Sequence, residues 1–193
     1  MINNRLFLPV LAVAALLLPT SSLRAADDPA AALAAESEAY CASTIQPDRH
    51  TPPADVIAKV NEACALLAKE GPAAFPKFSG KNSPFLYEGT YIWIHSLAES
   101  KMLMHPIKYK MVGTLLIGLK DPKGKRFFTV MNDLVREKGE GWVEYYWPKP
   151  GTTEITRKIS FVKKCTMSDG VEVVVGSGLY NPSDEDVAKL ELH

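Results

Sequence analysis

The chain has 193 residues, 22 basic against 22 acidic side chains, 47% hydrophobic residues and three cysteines. A formally neutral chain has no electrostatic case for binding nucleic acid or an anionic membrane surface. Four scattered histidines without a Cys-x-x-Cys pair argue against a zinc site.

Residues 1–25 read as a secretory signal peptide: Arg5 supplies the positive start, Leu6 to Leu18 the apolar run, and Leu23-Arg24-Ala25 the small-residue cleavage site. The run is too short for a bilayer span, and no later stretch approaches the roughly 20 apolar residues that one needs. Export to the periplasm or the medium is therefore expected. It leaves one domain-sized chain with 20 basic and 22 acidic residues once Arg5 and Arg24 are gone. Cys41, Cys64 and Cys165 then face an oxidising compartment, where one disulfide and one free thiol can form in any of three pairings. Cys41 with Cys64, the closest pair in sequence, is the expected one, closing a loop that contributes roughly 3 kcal/mol.

Residues 26–54 form a helical and linker segment: Asp27 to Glu38 is Ala-rich and helical, and Gln46 to Pro53 is a break. The main domain covers 55–181. Asp55 can cap a helix whose Val56, Val60, Ala63, Leu66 and Leu67 share one face up to Gly71-Pro72. Phe75, Phe78, Phe85 and Tyr87 stud a loop. Gly89 to His95 alternates as a strand with Tyr91, Trp93 and His95 on one face, and Lys101 to Pro106 returns as its hairpin partner. Asp121-Pro122 reads as the cap and first turn of a helix carrying Phe127, Phe128, Met131, Leu134 and Val135, stopped by Gly139. Trp142 to Trp147, Thr156 to Cys165 and Val171 to Tyr180 are strands, the last two joined around Ser168-Asp169-Gly170. Residues 182–193 form a tail with a short helix capped by Ser183. Hairpin-linked strands in this order predict an α+β domain with a five-strand antiparallel sheet.

Several motifs resemble one known family. Asp121-Pro122-Lys123-Gly124-Lys125, Gly139-Glu140-Gly141-Trp142-Val143-Glu144-Tyr145, Trp147-Pro148-Lys149-Pro150, Lys158 with Phe161-Val162, and Gly176-Ser177-Gly178-Leu179-Tyr180 occur in the order seen in single Cache domains. These are extracytoplasmic sensor modules of bacterial chemoreceptors and sensor kinases. The resemblance implies a PAS-like fold: a long N-terminal helix behind the sheet, and a ligand pocket on the other face under helical and loop segments. It also implies a small-molecule ligand, such as the short carboxylates acetate, propionate and pyruvate, and a membrane receptor or sensor kinase as partner. Receptor members add transmembrane helices and an output domain. This sequence runs only to His193, so a free-standing exported domain is expected. Phe161 stands where the family often has Tyr.

Lys158 leads the ligand-binding candidates, because a carboxylate removed from water needs a charged donor; the alternative is a solvated strand lysine. Tyr145 and Trp147 share one strand face and Trp142 the other, so at most one set faces the pocket directly. The family motif favours Tyr145, with Trp142 at the strand entrance. His105 can donate to an anion or cap its loop. Tyr91, Trp93, Phe127, Met131 and Phe161 complete the candidates, each with core packing as its alternative role. No catalytic motif or phosphate loop appears, so the expectation is a non-enzymatic domain without cofactor that binds a small organic acid. The competing reading is an accessory protein that uses the fold as a docking surface and takes no ligand.

Overall fold

A computed structural model describes residues 28–45 and 51–193; the expected signal peptide, Ala26, Asp27 and the Gln46–His50 part of the break lie outside the described residues. Helix α1 (Pro29–Ser43) starts on Asp28, whose Oδ1 accepts from Ala30 N at 2.9 Å. Helix α2 (Pro53–Glu70) begins two residues before the expected cap. Pro52 holds the cap position and Asp55 lies in the first turn, where its charge complements the helix dipole without a capping bond. A 3-10 stretch (Gly71–Phe78) follows.

Strands β1 (Leu86–Tyr87) and β2 (Thr90–Tyr91) form a small hairpin. Strands β3 (Trp93–Ser96) and β4 (Met102–Met104) enter the main sheet. The single strand expected over Gly89–His95 is thus broken at Ile92, because β2 pairs with β1 while β3 pairs with β4 and β7. Helix α3 (Phe127–Lys138) and strands β5 (Glu140–Pro148), β6 (Ile155–Thr166) and β7 (Glu172–Tyr180) complete the body. Helix α4 (Asp184–Ala188) is capped by Ser183, as its sequence suggests. The five antiparallel strands run in the order β4-β3-β7-β6-β5.

Asp121 does not cap α3. Its Oδ1 accepts from Lys123 N at 3.0 Å and Lys125 N at 2.9 Å, and Oδ2 accepts from Tyr146 N at 3.2 Å. The carboxylate closes a turn through Gly124 instead, so α3 starts only at Phe127. Gly139 does stop α3: at φ +83° it adopts the left-handed conformation that other residues resist.

The sheet divides two apolar clusters. On one side Val56, Val60, Ala63 and Leu67 of α2 cover Ile94, Ile159, Phe161, Val173 and Val175. On the other, Phe127, Phe128, Met131 and Val135 of α3 cover Trp93, Val143, Tyr145, Val162 and Val174. Strand alternation supplies both faces, because both sides of the sheet are buried.

The disulfide joins Cys64 of α2 to Cys165 of β6, with Cα atoms 5.6 Å apart, in place of the expected Cys41–Cys64 pair. Both belong to the α2 side of the sheet. Cys41 is buried on the α3 side, where its thiol donates to Thr90 O at 3.2 Å. The sheet therefore stands between Cys41 and Cys64. Among the described residues no helix is long and apolar enough to cross a membrane.

Candidate functional site

Strand register sets Lys158 of β6 between Tyr145 of β5 and Tyr180 of β7, three residues in one row across the sheet. The row belongs to the α3 face, and the Lys158 side chain is fully buried there. Its Nζ donates to Tyr180 Oη at 3.0 Å and to Tyr91 Oη at 3.3 Å, while Tyr180 Oη donates to Tyr91 Oη at 3.2 Å. The ammonium also lies 4.3 Å from the ring centre of Tyr91, 4.4 Å from that of Tyr180 and 5.2 Å from that of Trp93. Three aromatic faces partly replace water around a cation, each contributing about 0.5–2 kcal/mol.

They do not replace a counter-charge. Among the described residues Lys158 makes no ion pair. Burial pulls its pKa from 10.5 down to about 7, outweighing the opposing influence of Cys41. The hydroxyls around it stay protonated: burial raises the pKa of Tyr91, Tyr145 and Tyr180. A buried amine ringed by neutral hydroxyls and aromatic rings is electrostatically incomplete, and an anion is the species that would complete it.

His105 follows β4. Its Nδ1 accepts from Ile107 N at 3.2 Å and Lys108 N at 2.9 Å, which places the proton of the neutral ring on Nε2. Burial first, then the charges of Lys158 and Lys108, hold its pKa well below 6.5. The ring lies 4.9 Å from that of Tyr91. Thus His105 both caps its loop and brings a neutral N–H donor group to the neighbourhood of Tyr91.

Tyr145 stacks on Phe127 with ring centres 4.3 Å apart and planes 6° from parallel, and Trp147 meets Phe127 edge-on at 5.5 Å. The Tyr145 hydroxyl shares a 3.1 Å hydrogen bond with Ser160 Oγ. Met131 packs into the same cluster from α3.

The structure thus brings Lys158, Tyr91, Trp93, His105, Phe127, Met131, Tyr145 and Trp147 together on one face. It separates Trp142 and Phe161 from them, correcting the expectation that these two touch the same ligand. Their rings meet each other 5.3 Å apart in the cluster under α2. The cause is the two-residue period: Trp142 and Phe161 are each three residues from Tyr145 and Lys158, an odd offset that turns a side chain to the opposite face. Tyr180 belongs to a motif quoted from the sequence but not to the ligand candidates, although its hydroxyl accepts directly from the lysine at 3.0 Å. Its membership depends on the β6–β7 register, which no local motif encodes.

Comparisons with known proteins bear on the fold. Residues 81–191 match the family described as Cache domain. A stretch of 90 residues is 37% identical to methyl-accepting chemotaxis protein McpP of Pseudomonas putida, covering 47% of this chain and 16% of that protein. The chain therefore spans only a small part of that relative. Among solved structures, a periplasmic sensor domain of a chemotaxis protein superposes with a TM-score of 0.55 at 37% identity, covering 67% of this chain and 94% of that one. A Cache chemosensory domain studied for carboxylic acid recognition gives a TM-score of 0.54 at 28% identity, over 66% of this chain and 92% of that one.

Proposed function

The chain belongs to the Cache domain family, and on that premise we propose that it is a periplasmic sensory domain that binds a small organic acid non-covalently around Lys158. One observation carries this reading: a fully buried lysine faces aromatic rings and hydroxyls with no acidic partner among the described residues. The carboxylate would pair with the Lys158 ammonium and accept from the tyrosine hydroxyls. The rings of Trp93, Tyr145 and Phe127 would pack on the carbon chain. Carboxylic acid recognition by a Cache domain of similar fold supports the ligand class. The bound and empty forms would then present different surfaces to a membrane receptor or sensor kinase.

Calorimetry with C2 to C4 monocarboxylates against alcohols of matched size tests the ligand. Acids should bind and raise the melting temperature, alcohols should not, and Lys158→Met should reduce acid affinity by at least 100-fold, on the order of a lost charged hydrogen bond. Equal binding of acid and alcohol, or an acid affinity indifferent to Lys158→Met, would remove the carboxylate reading.

A further inference from the structure

Helix α1 lies outside residues 81–191, the segment matched by the family, yet it is docked on the ligand face. Its inward positions are Ala34, Ser37 and Cys41, with Tyr40 half-buried against the cluster that contains Tyr91. The Cys41 thiol hydrogen-bonds the carbonyl of Thr90, the residue before Tyr91. It is also close enough to Lys158 for the two groups to bias each other's ionisation.

The attachments of α1 are largely polar. Ser37 Oγ accepts from Gly80 N at 2.8 Å, and Thr44 Oγ1 accepts from Gly89 N at 2.8 Å. Glu38 Oε1 bridges two loops, accepting from Lys108 Nζ at 3.5 Å and from Gly151 N at 3.3 Å. Lys108 follows His105 by three residues, and Gly151 lies in the β5–β6 turn, so this one carboxylate ties α1 to both loops beside the site. The approach is close: a Cβ on Gly151 would fall 2.8 Å from Ala42 Cβ.

We propose that α1 is the wall that closes the acid site over Lys158, and that Cys41 is the side chain limiting the length of the acid. The inference rests on the carboxylate reading above and adds to it a specificity determinant from outside the family-matched segment. The Cys41 thiol is anchored on the carbonyl next to Tyr91, so the size of this side chain sets how far an acid can extend towards α1. A smaller side chain there lengthens the site by about one methylene, and a larger one shortens it. Because α1 buries little apolar surface, it is the element that can lift to admit a ligand to a lysine with no exposed surface.

The test is calorimetry of acetate, propionate, butyrate and pentanoate on the full chain and on Cys41→Ala and Cys41→Leu. Cys41→Ala should raise the butyrate-to-acetate affinity ratio by about tenfold, the worth of a methylene in an apolar site, and Cys41→Leu should lower it. Hydrogen exchange of the α1 amides, with and without propionate on the wild type, gives a second readout that needs no substitution: the acid should slow them by at least tenfold. Ratios within twofold of wild type in both variants, or α1 exchange indifferent to propionate, overturn the wall while leaving the Lys158 site standing. A wild type that binds no acid overturns the carboxylate reading itself, and the wall with it.

Discussion

Gly178 of β7 stands against the stem of Lys158 of β6: a Cβ at Gly178 would lie 3.0 Å from Lys158 Cε and 2.8 Å from Ile159 O. Two residues earlier, a Cβ at Gly176 would lie 2.6 Å from Cη2 of Trp93. The Gly-Ser-Gly run is thus the relief cut into β7 that lets a long lysine and a tryptophan lie flat on the sheet.

Gly178→Ala should therefore push aside Ser160 Oγ, the nearest atom, together with the Lys158 stem, and lower stability by about 1–3 kcal/mol through overpacking. Urea unfolding measures the loss, and acid affinity should fall with it. A variant with wild-type midpoint and affinity would show that the stem has room to move.

The acid–base behaviour of Lys158 gives a signed prediction. Its folded pKa, about 7, is depressed below the unfolded value near 10.5. Between those values the unfolded lysine keeps a proton that the folded one has released, so stability rises as pH climbs through the window. Below about pH 7 both states are protonated, and the cost of the buried charge, on the order of a few kcal/mol, is fully present. Cys41, pushed up to about 12, and His105, held well below 6.5, titrate outside the window. The melting temperature of the wild type relative to Lys158→Met should increase from pH 6 to pH 9 in acid-free buffer. A difference that stays flat would mean that Lys158 titrates as an exposed lysine.

At pH 8 and above, acid binding should take up protons, because a bound carboxylate restores the charged form of Lys158. Calorimetry in buffers of different ionisation enthalpy reads this directly. The affinity should weaken as pH rises further, and an affinity constant from pH 6 to pH 9 would contradict the lysine's part in binding.

The Cys64–Cys165 bridge closes a span of 101 residues between α2 and β6. Chain entropy assigns such a loop about 5 kcal/mol, and measured bridges commonly give 2–5. Reduction, or paired substitution by Ala, should lower stability by that range. Peptide mapping without reductant should return the 64–165 pair, and Cys41 should react with a thiol reagent far more slowly in the folded protein than in denaturant.

On the carboxylate reading, the two faces of the sheet separate stability from binding. Phe127→Ala and Phe161→Ala each remove a buried ring and should each cost about 3–5 kcal/mol. Only Phe127→Ala should also weaken acid binding at a temperature where both variants are folded, since Phe127 stacks on Tyr145 and Phe161 packs under α2. Equal losses of affinity would place Phe161 back in the site.

Alternation along β5, β6 and β7, the helical spacing of Val56, Val60, Ala63 and Leu67, and the stop at Gly139 were all legible in the residues themselves. Each depends on neighbours within about one turn or one strand of chain. So, too, was the division of Tyr145 from Trp142, although not which of the two faces takes α2. Asp121 shows where local reading fails: an Asp-Pro pair fits a helix cap, but the Tyr146 N–H, 25 residues on, takes part of its carboxylate. The Cys64–Cys165 pair, the partnership of Tyr180 with Lys158, and the descent of α1 onto the α3 face of the sheet join positions far apart in sequence. Only tertiary packing decides such contacts, because chain spacing sets an entropy of closure and no preference between faces. Lys158 stands on that boundary. Its position on a strand is written locally, whereas its burial among three rings without a carboxylate partner among the described residues is a product of the closed sheet, and the carboxylate reading rests on that burial.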